Sequence, residues 1–238
     1  MSPEDLGTIL GIWAHPDDEA YLSAGLMAQA VRDGRRVVCV TATRGEEGSW
    51  DEDRWPSDRM GEIREEELLR SLEILGVDEH HWLDYRDGTC GQVDAPEAVA
   101  RLVPIVEEVR PQTVLTFGPD GMTGHPDHKA VSRWAVEAFR RAAPPGSALY
   151  HAAYPQDWVD RFASRFQELN VFMEEGTPPV VPRERLAIAF RLSDDLVDLK
   201  VRALEAQESQ IVYMRQAFGR DTFVEGGREE FFVLADRK

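Results

Sequence analysis

Short apolar runs alternate with longer amphipathic stretches along this chain. Thr8–Trp13 reads as a buried strand, and Ala20–Arg32 as a helix with Leu22, Leu26 and Ala30 on one face, stopped by Gly34. Val37–Thr43 predicts a second strand. Glu62–Leu75 predicts a helix, with Leu68, Leu72 and Leu75 in register and Gly76 as its stop. His81–Tyr85 is a short strand candidate. Asp94–Val109 reads as a helix capped by Asp94, with Pro96 in its first turn and Glu97 completing a capping box. Pro104 conflicts with that helix and predicts a kink or break. Thr113–Phe117 is a strong strand, His125–Arg141 a helix and Ala148–Tyr154 a further strand. Such alternation implies an α/β fold whose mostly parallel sheet is covered on both faces, with sites at the carboxyl ends of strands.

The stretch 155–191 breaks this rhythm. It holds Pro155, Gly176, Pro178, Pro179 and Pro182, and reads as a loop-rich elaboration near the site. Ser193 then caps an expected long helix from about Asp194 to Gln216. No repeat interrupts the pattern, so residues 1–238 read as a single domain. Its length allows a core that holds a buried site without disulfides.

Charge narrows the partners. The chain carries 27 Lys+Arg against 44 Asp+Glu, a net charge of −17, which argues against a broad grip on nucleic acid or an anionic bilayer. No apolar run is long enough to span a membrane. The acidic start Met1–Asp5 lacks the basic region of a signal peptide, so a cytoplasmic location is expected. Cys39, inside an apolar run, reads as a small buried hydrophobe. Cys90 sits in a loop with no basic neighbour assured.

The chemistry concentrates in two segments. Ala14-His15-Pro16-Asp17-Asp18-Glu19 follows the first strand, and Gly124-His125-Pro126-Asp127-His128 follows the strand ending at Phe117. Each alone has a plain structural reading. Asp-Asp-Glu caps a helix well, and His-Pro-Asp-His makes a turn whose imidazoles bond to backbone. Together, each after a strand, they point to a divalent metal. His15, Asp18 and His128 form a three-ligand set with room for water, as in catalytic zinc sites. Asp17 and Asp18 repel in a low-dielectric pocket unless one meets a cation. A metal on Asp18 leaves Asp17 free to accept a proton from water, and His125 becomes a positioned acid or oxyanion donor. Glu19 reads as a cap or as a contact to a ligand histidine. The donor set admits zinc and iron(II) alike. His80 and His81 read as structural. Trp50, Trp55 and Trp158 lie in polar loops, where an aromatic can stack on a sugar.

These two motifs resemble the zinc-dependent de-N-acetylases of the PIG-L/LmbE-like superfamily. The resemblance implies a Rossmann-like three-layer α/β/α fold without a dinucleotide, and the sequence has no G-x-G-x-x-G. It assigns His15, Asp18 and His128 to zinc, Asp17 to the general base and His125 to oxyanion stabilisation or amine protonation. It also implies substrate contacts from Glu46 in Thr43–Gly48, from Arg64 in Arg64-x-x-Glu67, and from Asp87. The implied function is hydrolysis of an acetyl or other acyl group from an N-acylated amino sugar or glucosaminyl conjugate by metal-activated water. An amidase that cleaves a thiol-bearing glucosaminyl amide uses the same motifs. A non-catalytic metal-binding protein leaves Asp17 and His125 without purpose. The resemblance is consistent with a homo-oligomer. Two positions depart from the family: Thr123 replaces a tyrosine found in some members, and Gln207 replaces a histidine before Ser-Gln.

Overall fold

The computed structural model describes residues 5–168, 171–173 and 180–235. Its strands and helices alternate as β1 (Ile9–Trp13), α1 (Asp18–Arg32), β2 (Val37–Thr43), α2 (Met60–Leu75), β3 (Glu79–Tyr85), α3 (Ala95–Val109), β4 (Thr113–Thr116), α4 (Pro126–Ala142) and β5 (Ala148–Ala152). The later elements are β6 (Tyr154–Pro155), α5 (Gln156–Glu168), β7 (Val180–Val181), β8 (Ile188–Arg191), α6 (Asp194–Glu205), α7 (Glu208–Phe218), α8 (Arg220–Gly226) and β9 (Glu229–Leu234).

The main sheet runs β3-β2-β1-β4-β5-β9-β8. The first five strands are parallel, whereas β9 pairs antiparallel with β5 and β8. Right-handed crossovers place α1 and α2 on one face. The direction of winding then reverses between β3 and β4, which sends α3 and α4 to the other. Accordingly α1, α2 and α6 pack together, and α3 packs on α4. Every residue of β1 and β2 is buried, as a sheet covered on both sides requires. Each fully buried Ile, Leu or Val there contributes about 1.5–3 kcal/mol.

Several expectations change. Helix α3 continues through Pro104 without a break. Pro104 and Ala100, the residue whose carbonyl loses its partner, are both exposed, so water takes that hydrogen bond. The capping box does not form: Asp94 makes no side-chain cap, and Glu97 turns to Tyr85 and Arg101. Residues 155–191 are not mainly loop. Helix α5 and the sheet strand β8 lie within them, while Gly176, Pro178 and Pro179 lie outside the described residues. The long C-terminal helix is divided into α6 and α7 at Ala206-Gln207. There Gln207 turns inward to Glu19 (2.8 Å), and the following Ser209 bonds to Glu67.

Candidate functional site

The winding reversal leaves a crevice beyond the carboxyl ends of β1 and β4, where α/β sheets place ligands. Both motifs open into it. After β1 the chain turns through His15-Pro16-Asp17, with Asp17 at φ 103°, a region that L-residues other than glycine, Asn and Asp seldom enter. Local bonds hold this turn. The amide of His15 donates to Asp18 Oδ2 (2.8 Å), and that of Asp17 to Glu19 Oε2 (3.0 Å). Thr43, at the end of β2, donates to the Ala14 carbonyl from both its amide and its hydroxyl. Across the crevice, His125 is the N-cap of α4, and His128 sits in the first turn.

His15 Nδ1 lies 3.1 Å from His128 Nε2 and 3.8 Å from Asp18 Oδ2, and His128 Nε2 lies 3.5 Å from Asp18 Oδ1. Donor atoms around a four-coordinate ion stand roughly 3.3 Å apart when metal–ligand distances are near 2.0–2.1 Å. The three residues therefore fit one small divalent cation. A ring nitrogen of His125 also lies within 4.8 Å of donor atoms of His15 and His128.

The outer nitrogens of the two histidines are already engaged. His128 Nδ1 lies 3.0 Å from the Gly121 carbonyl and 3.3 Å from the Thr123 hydroxyl. His15 Nε2 faces Asp87 Oδ1 (3.0 Å) and Asp127 Oδ2 (3.4 Å). This carboxylate–histidine arrangement orients a ring whose other nitrogen binds metal. Asp127, fully buried, also accepts from the amides of Gly88 (2.8 Å) and Cys90 (3.0 Å). Sequence reasoning passed over Asp127, although it stands between two named histidines. The available signal was a carboxylate set between the two histidines of His-Pro-Asp-His.

The electrostatics call for positive charge at this point. Burial disfavours charge on His15, yet hydrogen bonds to Asp127 and Asp87 and the charge of Asp18 outweigh it and raise the imidazole to about 10. Burial lowers His128 to about 4, despite Asp18, so this ring is neutral, with its Nε2 facing His15 Nδ1. Burial raises Asp17 to about 7, against the pull of Arg64 and with a push from Asp18. Burial and the neighbouring charge of Asp17 likewise raise Glu19 to about 8. His125 Nδ1 accepts the Asp127 amide (3.1 Å), which places the proton of a neutral ring on Nε2.

Arg64, buried on α2, donates to the carbonyls of Gly45 (3.1 Å) and Pro16 and stands 3.3 Å from Asp17 Oδ2. Its Nε has no hydrogen-bond partner among the described residues. Asp87 lines the cavity, but its carboxylate is held by His15 and by the Glu47 amide (3.1 Å). Glu46 accepts from the Asp87 amide (3.2 Å) and borders a separate shallow depression with Arg44 and Arg86; its neighbour Glu47 lines the main cavity instead. Trp50 and Trp158 line that cavity, whereas Trp55 packs on Arg54 and Tyr213. His80 is held by Thr41 (2.9 Å) within the sheet. Cys39 and Cys90 are buried, and burial pushes both thiols up, away from reactivity.

Residues 10–139 match the PIG-L family, described as GlcNAc-PI de-N-acetylase. The chain belongs to this family. It is 38% identical to a 1D-myo-inositol 2-acetamido-2-deoxy-alpha-D-glucopyranoside deacetylase of Catenulispora acidiphila, over 64% of this chain and 54% of that protein. It is 33% identical to the protein of that name from Acidothermus cellulolyticus, over 86% of this chain and 80% of that one. The chain thus spans about half the length of the first curated relatives it matches, 54% and 49%. The N,N'-diacetylchitobiose deacetylase of Pyrococcus horikoshii superposes with a TM-score of 0.65 at 22% identity, over 98% of this chain and 85% of that one, a likeness of fold. His15, Asp17, Asp18, Glu46, Arg64, Asp87, His125 and His128 all fall inside the matched span.

Proposed function

We propose that this chain is a zinc hydrolase that removes an acetyl or larger acyl group from the nitrogen of an amino sugar, with a glucosaminyl conjugate as substrate. The convergence of His15, Asp18 and His128 to within 3.1–3.8 Å, with Asp17 beside them, carries this reading. The names of the PIG-L relatives supply the sugar.

A zinc ion bound there would act as a Lewis acid and bring the pKa of water down to about 7. Asp17, raised to about 7 and leaning on Arg64, is matched to receive the proton that water gives up as it attacks the amide carbonyl. His125, with its proton on Nε2, donates to the carbonyl oxygen as negative charge gathers there. The proton held by Asp17 then passes to the departing amine, which leaves a carboxylate and a free amino sugar. Arg64 keeps Asp17 in place and lines the cavity that would receive the sugar. A thiol-bearing glucosaminyl amide would be cleaved by the same groups; the two readings differ in the acyl group alone. We read residues 1–238 as one domain that works in the cytoplasm; among the described residues no helix is long and apolar enough to cross a membrane.

The test combines metal analysis of the purified protein with amine release from N-acetylglucosamine conjugates. Asp17→Asn is expected to retain the metal and lose on the order of 10²–10⁴ in rate. Near-normal turnover in that variant defeats the assignment of the base.

A further inference from the structure

The cavity above the metal centre is about 630 Å³, far more than an acetyl methyl occupies. Its two sides differ in chemistry. On one side, the loops after β2 and β3 and helix α2 contribute Glu47, Ser49, Arg64 and Asp87. On the other, a chamber is walled by Phe117, Tyr154, Trp158 and Phe162, while Phe218 and Phe223 line the cavity from α7 and α8, of which α7 bonds to the Gly48 loop through Gln210 (2.9 Å). Phe117 stacks on the ring of His128 at 4.1 Å, so this wall begins at a metal-ligating residue. Tyr154 stacks on Trp158 at 4.1 Å, and Trp158 meets Phe162 at 5.4 Å, which extends the wall away from the centre. Lys200, Glu229 and Glu230 also line the cavity, Lys200 paired with Glu230 at 2.8 Å and Glu229 with Arg183 at 3.5 Å.

An amide seated between the two sides has to place its sugar and its acyl group in opposite directions. Hydroxyl groups lose their hydrogen bonds to water in an aromatic chamber and find partners on the polar side. We infer that the apolar chamber receives the acyl chain, and that the preferred substrate is an amino sugar carrying a medium or long N-acyl chain. The inference rests on the hydrolase reading above and sharpens its substrate.

The experiment compares kcat/KM for amine release from N-acetyl-, N-butanoyl- and N-octanoyl-glucosamine and from octyl N-acetylglucosaminide, with Zn²⁺-loaded protein. Each methylene that becomes buried multiplies kcat/KM by about four, so the N-octanoyl sugar is expected to exceed the N-acetyl sugar by roughly 100-fold once incomplete burial is allowed for. Ala153→Leu, which narrows the cavity, is expected to reduce that ratio by about tenfold or more while N-acetyl hydrolysis persists. A preference for N-acetyl over N-octanoyl glucosamine overturns the inference and leaves the hydrolase reading intact. A preference for the octyl glycoside over the N-octanoyl sugar overturns it too, because the chain then sits on the sugar side. Octanoate, titrated by calorimetry, gives a readout independent of turnover. If no sugar is hydrolysed the hydrolase reading fails, and the chamber is then judged by this titration: saturable binding that Ala153→Leu weakens supports it, and no binding overturns it.

Discussion

Lys200 and Glu230 form an ion pair at 2.8 Å with side chains 3% and 0% exposed. Glu230 also accepts the amides of Gly25 and Leu26, each at 2.8 Å, and Lys200 donates to the carbonyl of Tyr21 at 2.7 Å. The pair therefore meets the backbone of α1 in mid-helix, between the Asp17–Glu19 turn and the sheet strand β9. Lys200→Met removes the ammonium and keeps most of the volume, which leaves a buried carboxylate with two amides and no counter-charge. Breaking a buried pair from one side costs about 3–5 kcal/mol. That is a large fraction of a total stability on the order of 5–15 kcal/mol. For a chain of this size it corresponds to a fall in Tm of roughly 6–20 °C. Glu230→Gln is expected to cost a similar amount. The double variant Lys200→Met/Glu230→Gln buries no charge and is expected to recover about 1–3 kcal/mol relative to the sum of the singles. Urea unfolding of all four proteins at one fixed zinc concentration measures the cycle. Single-variant losses below about 1 kcal/mol, or strict additivity, would refute the claim that this pair holds α1 against β9.

Other outcomes follow from particular contacts. Asp87→Asn is expected to weaken metal affinity about 10–100-fold through His15, as read by competition with a chelating dye; a change in KM with unaltered metal affinity would place Asp87 at the sugar instead. At Gly45, φ is 68° and an added Cβ would lie 2.1 Å from Arg64 Nη1. Gly45→Ala is therefore expected to displace Arg64 from Asp17, reducing kcat with the metal retained, beyond the roughly 1–2 kcal/mol of left-handed strain; unchanged kcat would contradict this. Burial lowers His80 to about 4, helped by His81 and Arg44. Because the folded imidazole resists protonation, its neutral form carries no penalty above about pH 6.5, and stability falls as the pH drops from there toward 4, by up to a few kcal/mol. His80→Gln is expected to flatten that part of the stability–pH curve measured by urea titration, and an identical curve would count against the assignment.

The parallel half of the sheet was legible because β1, β2 and β4 are short runs of apolar and threonine residues between amphipathic helices, two of which are followed by a glycine, Gly34 and Gly76. Gly76 ends α2 in the left-handed conformation, as its position suggested. The antiparallel edge was not legible. Glu229–Leu234 begins with two carboxylates, and the reason Glu230 is buried lies in Lys200 and α1, far away in the chain. The break at Gln207 was hidden for the same reason, since the partner that draws it inward is Glu19. At the site, spacing and residue type brought His15, Asp18 and His128 into view because a cation needs those donors. The roles of Asp127 and Asp87 as supports for His15 depend on the path of the loop after β3, which no local pattern specifies.

The aromatic chamber is built mostly from residues beyond Ala152, whereas the ligand cluster and Asp17 lie between His15 and His128. On the proposed reading, bond-breaking and selection of the fatty portion are encoded in separate stretches of one polypeptide. Exchange of the C-terminal third between homologous chains would then retune which chain length is accepted while the reaction itself travels unchanged with the N-terminal part.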